Sequence, residues 1–369
     1  MILTRQSLAP LTSFRFLAVM FVFLWHIGFL REYQTGYVGV SFFYTLSGFI
    51  LTYNYVHRFR HPSSKARRQF YWARFARIYP VYALAFLWSI PLTPIHAYGS
   101  LATWIGVGLA NLVLIQSYIP YLAIAFSFDG VAWSLSDEAT FYAIFPWLMQ
   151  WWNTLGRHWH ARHVVLGMAI LWGSLVALLI PYHSSWQSWI AYIFPGTRLV
   201  DFFIGMGAAL VFDRIAWNRP GTHLPWTTLE VAGLLLVVGT IAIGPYTEQS
   251  LRFSALYLPG WAILLWIFAH QKGVMSRVFS HAALVRLGNW SFAFYMIHRL
   301  VMRTLQKFNL YHYHGPLWQD GLVLMTAVAL SALIYYHYEE PVRRKLRHKF
   351  SVYPGSYAQT VAQHATSAQ

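Results

Sequence analysis

The sequence contains no cysteine and few charged residues. Among its 369 residues, 11 are Asp or Glu, and charged residues of both signs make up 10%. The absence of cysteine excludes disulfide bonds and metal sites built from thiolates. Soluble domains carry about 25% charged residues, so this composition argues against one or two soluble domains.

Apolar residues are abundant instead, since 57% of the residues are hydrophobic and 19% are aromatic. Runs of about 20 apolar residues are long enough to cross a bilayer as helices. Eleven such segments lie near residues 11–30, 36–56, 78–97, 101–119, 136–152, 164–182, 190–212, 226–244, 251–270, 283–305 and 320–338. The sequence therefore predicts an all-α, polytopic transmembrane helical bundle.

The ends of the chain are expected to differ in character. No small-residue cleavage pattern follows the first apolar segment, so we expect a retained helix rather than a signal peptide. We expect one membrane domain over residues 1–350. The tail over residues 351–369 is rich in Ser, Ala and Gln and is predicted to be disordered.

The charge pattern predicts the membrane topology. The formal net charge is +16, and basic residues cluster between apolar segments, at 67–77 and 343–349. This favours cytoplasmic loops and contacts with anionic lipid over binding of nucleic acid. Both termini are then cytoplasmic and residues 120–135 lie outside. An odd number of crossings must join the inner loop to this outer segment. Hence either 78–97 or 101–119 is expected to be re-entrant or broken, which leaves about ten transmembrane helices.

Two ionisable residues, Arg15 and His26, lie within the first apolar segment and are eleven residues apart. Eleven residues make almost three helical turns, so both side chains point the same way, ~16 Å apart along the axis. Ionisable groups are costly inside a membrane. The pair therefore indicates a shared pathway or site.

The next two motifs allow two interpretations each. Glycines and serines in the segment 36–53, Ser47 among them, suit close helix packing or close approach to a ligand chain. Arg74 and Arg77 share a helix face at the predicted cytoplasmic entry. Paired guanidinium groups suit phosphate, and they equally suit an anchor to lipid headgroups.

Further along the chain, polar residues enter two apolar helices. Asp137 is interpreted as a helix-dipole partner in a first turn capped by Ser136. Glu138 is predicted to be the partner of a buried His or Arg, because each acidic residue near a span is unusual here. Ser291, Tyr295 and His298 form a single helical stripe, which suits either a packing role or a functional one.

The remaining polar residues give weaker signals. Histidines at 158–163 and 312–314 are interpreted as interfacial rather than metal-binding, because no carboxylate or cysteine accompanies them. Arg198 and Asp201 are expected to neutralise each other. The sequence contains no nucleophile elbow, P-loop or dinucleotide fingerprint.

Taken in order, these stretches resemble the acyltransferase type 3 family of integral membrane acyltransferases, in its stand-alone form. Residues that match the family's five motifs are Arg15 and His26; Gly39, Val40, Phe43, Ser47, Gly48 and Phe49; Arg74, Arg77, Ile78 and Pro80; Trp133, Ser134, Leu135, Glu138, Phe141 and Tyr142; and Ser291, Tyr295 and His298. The chain departs from the family pattern at three positions: Ser41 stands where many members carry Asp, Tyr44 where Phe is usual, and Ala73 where many have another Arg.

The resemblance implies transfer of an acyl group, usually acetyl, from cytoplasmic acyl-CoA to a hydroxyl of a surface glycan or lipid-linked sugar. Acyl-CoA (acetyl-CoA) is then the donor and no metal is needed. The expected partners are membrane lipid and the glycan acceptor, with either a homo-oligomer or a polysaccharide-synthesis complex as the assembly. The expected location is the bacterial inner membrane.

The resemblance also implies residue roles. His26 is expected to act as base or nucleophile, Arg15 to polarise the thioester, and Glu138 to orient His26. Arg74 and Arg77 are expected to hold the CoA phosphates. The residues expected beside the substrates are His298, Tyr295, Ser291, Trp133 and Ser47.

Two other classes of protein remain open at this stage. Intramembrane His, Arg and Glu also form proton relays, so a proton-coupled exporter of lipid or sugar is the main alternative. No clear internal repeat supports it, although many transporters are built from repeats. A scaffold that organises polysaccharide synthesis is the other alternative.

Overall fold

The computed structural model describes residues 6–59, 63–180, 188–216 and 224–350, and these residues form helices and no strand. The predicted disordered tail, 351–369, lies outside the described residues. The helices of eight or more residues are α1 Ala9–His26, α2 Thr35–Tyr55, α3 Ser64–Ser89, α4 Leu101–Leu112, α5 Trp133–Leu155, α6 Ala161–Leu179, α7 Pro195–Ala216, α8 Trp226–Ala242, α9 Leu258–Ala269, α10 Ala282–Lys307, α11 Leu317–Ile334 and α12 Glu340–Phe350. A π-helical turn, Trp189–Ile193, precedes α7, and another, Tyr335–Glu339, joins α11 to α12.

Several of these helices have the length and composition needed to cross a membrane. Among the described residues, five are both long and apolar enough: Ala9–His26, Ser64–Leu92, Ala161–Leu179, Trp189–Ile215 and Leu317–Arg347. The helices α2, α5 and α10 are also long, with 21, 23 and 26 residues, but they are less apolar. These three carry most of the polar motif residues. The all-helical, membrane-compatible architecture is thus confirmed.

Two apolar segments form short helices. α4 has 12 residues and spans ~18 Å, well short of a hydrocarbon core of ~30 Å. Of the two segments in which a break was expected, the second is therefore the shorter helix. α9 likewise has 12 residues, a shortening that the sequence did not predict.

Glycines bring α2 into backbone contact with α7. A Cβ added at Gly48 would lie 2.0 Å from the Phe202 carbonyl oxygen, and one at Gly205 would lie 1.8 Å from the Thr45 carbonyl oxygen. Only glycine permits such an approach. Gly48 therefore serves close helix packing, the first of the two interpretations of this segment.

α1 packs against both α2 and α10 in the same way. A Cβ at Gly39 would lie 2.4 Å from the Ala18 carbonyl oxygen, and one at Gly288 would lie 2.0 Å from the Thr12 carbonyl oxygen. This close three-helix packing places the polar residues of α1, α2 and α10 in one interior.

Two groups of buried charged residues lie beside this interior. One pairs as the sequence predicted and the other does not. Arg198 and Asp201 are fully buried and lie 3.5 Å apart, which confirms their mutual neutralisation. Asp137, in contrast, is not a first-turn dipole partner. α5 begins at Trp133 after Ala132, so Ser136 does not cap it, and Asp137 is buried and accepts a hydrogen bond of 2.8 Å from Tyr44.

Candidate active site

A cavity of about 170 Å³ lies between α1, α2, α3, α5 and α10. Its lining combines four charged side chains with hydroxyl groups and the ring of Phe292 from these five helices. They are Arg15, Tyr44, Ser47, Arg74, Arg77, Ser134, Glu138, Tyr142, Ser291, Phe292 and Tyr295. The rest of the wall is aliphatic or aromatic, including Val40, Phe43 and Ile78. The cavity thus offers charged groups and an apolar wall to the same ligand.

Three arginines line the cavity. Arg74 and Arg77 face it from α3, as their shared helix face predicted, and Arg15 joins them from α1. The Arg74 guanidinium lies 5.9 Å from the ring of Tyr142, and its Nε is buried and has no hydrogen-bond partner among the described residues. A partly buried guanidinium with an unused donor is suited to an anionic ligand.

Glu138 belongs to this arginine cluster. Its Oε2 accepts a hydrogen bond of 3.0 Å from Tyr142, one helical turn away, and it interacts electrostatically with Arg15, Arg77 and Arg74. It is therefore a partner of these partly buried arginines, and arginine was one of the two kinds of partner that the sequence predicted. The residue in hydrogen-bond contact with His26 is His298 rather than Glu138.

The hydroxyl groups of the cavity are held by hydrogen bonds within and between helices. Ser47 Oγ lies 3.5 Å from the Tyr142 hydroxyl, and Ser291 donates to the Gly288 carbonyl of its own helix at 2.7 Å. Tyr295 extends from α10 to Ser134 on α5, with 2.9 Å between the hydroxyl oxygens. Tyr295 therefore joins two walls of the cavity.

A histidine pair lies one helical turn beyond Tyr295. His26 Nδ1 is 2.9 Å from His298 Nε2, although the two residues are 272 positions apart in sequence. His298 is fully buried, whereas His26, at the end of α1, is partly exposed. The pair thus has one anchored ring and one accessible ring.

Hydrogen bonding determines which ring nitrogens carry protons. His298 Nδ1 lies 2.8 Å from the Tyr295 carbonyl oxygen, and a carbonyl can only accept, so Nδ1 carries the proton. The Nε2 atom of neutral His298 is then an acceptor, and His26 Nδ1 donates to it. Consequently the Nε2 atom of neutral His26 bears a free lone pair, as a general base requires.

The predicted site residues fall into two groups in space. Arg15, Arg74, Arg77, Glu138, Ser47, Ser291 and Tyr295 line the cavity, whereas His26 and His298 form the pair beyond it. Arg15 is therefore placed with the other arginines rather than beside His26. Trp133 does not line the cavity; its ring packs 4.6 Å from that of Tyr192 and supports the wall from behind.

Two charged residues of the site were not predicted. Arg299 interacts electrostatically with both His26 and His298. Glu339 accepts a hydrogen bond of 2.5 Å from Arg77. Two features of the sequence could have indicated them: Arg299 directly follows His298, and acidic residues such as Glu339 are scarce in this chain. The described residues form no group of three His, Asp or Glu side chains that could hold a metal ion.

Comparison with known proteins identifies the family. A sequence profile of the acyltransferase domain family matches residues 11–336. Acyltransferase MdmB of Streptomyces mycarofaciens is 28% identical over 332 residues, which cover 80% of this chain and 79% of MdmB. Peptidoglycan O-acetyltransferase OatA of Listeria monocytogenes is 24% identical, over 92% of this chain and 56% of its own length. Nodulation protein 10 of Rhizobium leguminosarum is 25% identical over 83% of this chain.

No solved structure matches the chain. The profile nonetheless covers most of it and includes every predicted site residue. Its helical fold and this match together identify the protein as an integral membrane acyltransferase. It belongs to the acyltransferase family recognised from its motifs, and its enzyme class is that of the O-acyltransferases. This membership argues against the exporter and scaffold alternatives.

Proposed function

We propose that the protein moves an acyl group, most simply acetyl, from cytoplasmic acyl-CoA to a hydroxyl of an extracytoplasmic or lipid-linked glycan. One observation carries this proposal. A single cavity has three arginines on its wall and also reaches Tyr295, one helical turn before the His26–His298 pair. One helical bundle thereby contains both the cationic groups that can bind a polyanionic donor and a base that can accept the proton of the hydroxyl.

The donor end of the site is the arginine cluster. Acyl-CoA carries several phosphate charges, and Arg15, Arg74 and Arg77 supply guanidinium groups that bind phosphate through paired hydrogen bonds. Glu138 balances part of their charge while the cavity holds no donor. The apolar wall around Val40 then suits the uncharged pantetheine arm of the donor.

The acyl-transfer step is assigned to the histidine pair. His26 Nε2 takes the proton from the acceptor hydroxyl as its oxygen attacks the thioester carbonyl carbon. The new C–O bond forms, the C–S bond breaks, and the CoA thiolate takes the proton back from His26. Arg299 supplies positive charge beside both rings, where the carbonyl oxygen becomes negative.

His298 fixes the working tautomer of His26 in this proposal. The family resemblance implied a place beside the substrates for His298, separate from the role of His26. Their direct 2.9 Å contact favours a single unit. A neutral, buried partner that accepts from Nδ1 has the orienting role that a carboxylate often has in other sites.

The surroundings of the enzyme are proposed along with its chemistry. We place it in the bacterial inner membrane with about ten crossings, both termini in the cytoplasm, and lipid and glycan as its partners. A relative named peptidoglycan O-acetyltransferase supports a glycan hydroxyl as the acceptor. The arginines of α3 then lie on the cytoplasmic side, where acyl-CoA is found.

Release of free CoA from acetyl-CoA by the purified, reconstituted protein tests the proposal. The chain has no cysteine, so a thiol reagent reports only the CoA that is released. Acceptor-dependent release, with acetyl recovered on a glycan fraction by mass spectrometry, is the expected result. A protein that releases no CoA above background with any acceptor would contradict the proposal. Transport of a lipid or sugar without consumption of acetyl-CoA would contradict it as well and would support the exporter alternative.

The arginine cluster gives the matched comparison. Replacing Arg74 and Arg77 together by Gln should raise the apparent KM for acetyl-CoA about tenfold or more, because two charge-assisted contacts to phosphate are lost. The control is Arg67 and Arg68 replaced by Gln, since these arginines lie on the same helix and do not line the cavity. An equal effect of both double variants would return Arg74 and Arg77 to the lipid-anchor interpretation.

A further inference from the structure

Arg77 is held by a carboxylate from near the other end of the chain. Glu339 lies in the π-helical turn Tyr335–Glu339, and its side chain is only 1% exposed. Its Oε1 accepts a hydrogen bond of 2.5 Å from Arg77 Nη1, across 262 residues of sequence. Its Oε2 is buried and has no hydrogen-bond partner among the described residues.

The next residue, Glu340, is bound within its own helix. It pairs with Arg343 and, at 2.7 Å, with Arg344, both of which lie on its own helix, α12. Glu339 also lies 3.8 Å from Arg343 on α12, but of the two adjacent glutamates it is the one that bonds Arg77, a residue of the cavity wall. The pair offers a natural comparison within a single peptide segment.

The contact leaves most of Arg77 available. A guanidinium has five N–H donors in a rigid plane, and the hydrogen bond to Glu339 uses one of them. Arg77 also lines the cavity, so donors that are not used by Glu339 remain available to a ligand there. Fixing one edge of the plane sets the direction of the others.

The charge balance permits anion binding in the presence of Glu339. Three arginines line the cavity, Arg15, Arg74 and Arg77, and two carboxylates interact with them, Glu138 and Glu339. Both carboxylates also interact electrostatically with Arg15. With all five groups ionised the cluster keeps an excess of one positive charge.

We propose that Glu339 is a positioning residue for the donor site: it holds the Arg77 guanidinium in the orientation that receives the phosphate groups of acyl-CoA. The inference rests on the proposed function, because it assigns Arg77 to the donor. It adds that the segment joining α11 to α12 is part of the donor site, although Glu339 does not line the cavity.

The test compares Glu339→Ala, Glu339→Gln and Glu340→Ala in the purified full-length protein. With acetyl-CoA, Glu339→Ala should raise the apparent KM about tenfold with kcat changed less than about twofold, because binding and not chemistry is affected. Glu339→Gln keeps an acceptor oxygen for Arg77, so its KM should rise only about threefold. Glu340→Ala should match the wild type.

A second donor separates positioning from general damage. The acetyl thioester of N-acetylcysteamine has no phosphate, so Glu339→Ala should leave its rate of turnover unchanged. A variant that was merely misfolded would use both donors poorly. If Glu339→Ala does not yield folded protein, the KM of Glu339→Gln for acetyl-CoA decides, and an unchanged value overturns the inference.

The remaining outcomes are equally decisive. Equal losses with both donors, or the same KM change in Glu340→Ala, would show that Glu339 acts through the helix junction and not through the phosphate contacts. A wild-type protein that fails to use acetyl-CoA would contradict the proposed function itself, and with it the inference. The wild-type measurement distinguishes these two failures.

Discussion

At the scale of single residues, the proton on His298 determines what His26 can do. The carbonyl groups of Phe294 and Tyr295 both lie within 3.1 Å of His298 Nδ1 and require a donor there. The His298 ring therefore presents an acceptor to His26 whenever it is neutral. A backbone feature of α10 thus sets the tautomer of a side chain on α1.

Replacing His26 with Ala should lower acceptor-dependent CoA release by about 10² to 10⁴-fold, the usual contribution of a general base. The protein should remain folded, since His26 is partly exposed at the end of α1. Initial rates with acetyl-CoA, together with size-exclusion profiles in detergent, provide the measurement. The matched control is His270→Ala, which removes another partly buried histidine, hydrogen-bonded to the Trp266 carbonyl of the preceding helix and packed against the ring of Trp226.

His298 gives the companion prediction. His298→Ala should lower kcat strongly and lower transfer and hydrolysis of acetyl-CoA together, because both need the same His26 tautomer. His298→Gln should retain more activity, since its amide oxygen can accept from His26. Slow hydrolysis that survives in His298→Ala while transfer is lost would instead support an acceptor-side role for His298.

At the scale of helices, glycines decide how close the functional elements lie. α2 makes its most extensive contacts with α7, and α1 packs against both α2 and α10. Each of these contacts has a glycine facing a backbone carbonyl. In a membrane, where apolar side chains gain little by leaving lipid, such close backbone packing is a main source of helix association.

Gly48→Ala should therefore destabilise the protein. Its new Cβ would lie 2.0 Å from the Phe202 carbonyl oxygen, so α2 and α7 must separate, at a cost of about 1–3 kcal/mol or more. The control is Gly106→Ala on α4, where a Cβ meets nothing within 4 Å and helix propensity favours Ala by about 1 kcal/mol. Thermal unfolding in detergent should show a lower midpoint for the first variant only. Equal midpoints would contradict the packing role of Gly48.

Buried polar contacts between helices explain one departure from the family pattern. Tyr44, at a position where Phe is usual, donates a hydrogen bond from its hydroxyl group to the buried Asp137. The Arg198 guanidinium lies 5.0 Å from the Tyr44 ring and pairs with Asp201. Tyr44 therefore gives a hydrogen-bond partner to a carboxylate buried in the bundle, which also interacts with Ser117 and Arg198.

At the scale of the whole molecule, the proposed topology places the two ends of the reaction on opposite sides of the membrane. The arginine cluster is then open to cytoplasmic acyl-CoA, and the histidine pair lies nearer the outer face. Ala125 would have been a suitable label site by sequence, but it is completely buried. Exposed positions nearby serve the same purpose.

Single cysteines at Ser64, Tyr121 and His160 test this arrangement, because the chain has no native thiol and all three positions are exposed. Only Tyr121→Cys should react with an impermeant thiol reagent added outside intact cells. Ser64→Cys and His160→Cys should react only after the membrane is opened. Labelling of Tyr121→Cys solely from the inside would overturn the proposed topology.

The sequence by itself determined the class of protein and much of the site. Apolar runs fixed an all-helical membrane fold, because helices satisfy their own backbone hydrogen bonds in lipid. Helical spacing placed Arg74 and Arg77 on one face and Tyr142 beside Glu138, as the structure confirms. These predictions depend only on the period of one helix, which residue order contains directly.

Tertiary structure alone decided which helices face one another. His26 pairs with His298 and Arg77 with Glu339, across 272 and 262 residues respectively, and no local pattern encodes such contacts. Arg15 and His26 share a helix yet belong to opposite ends of the site, since ~16 Å separates them along the axis. Periodicity gives the face of a helix, but the partner of that face depends on how glycine contacts and buried charges pack the whole bundle.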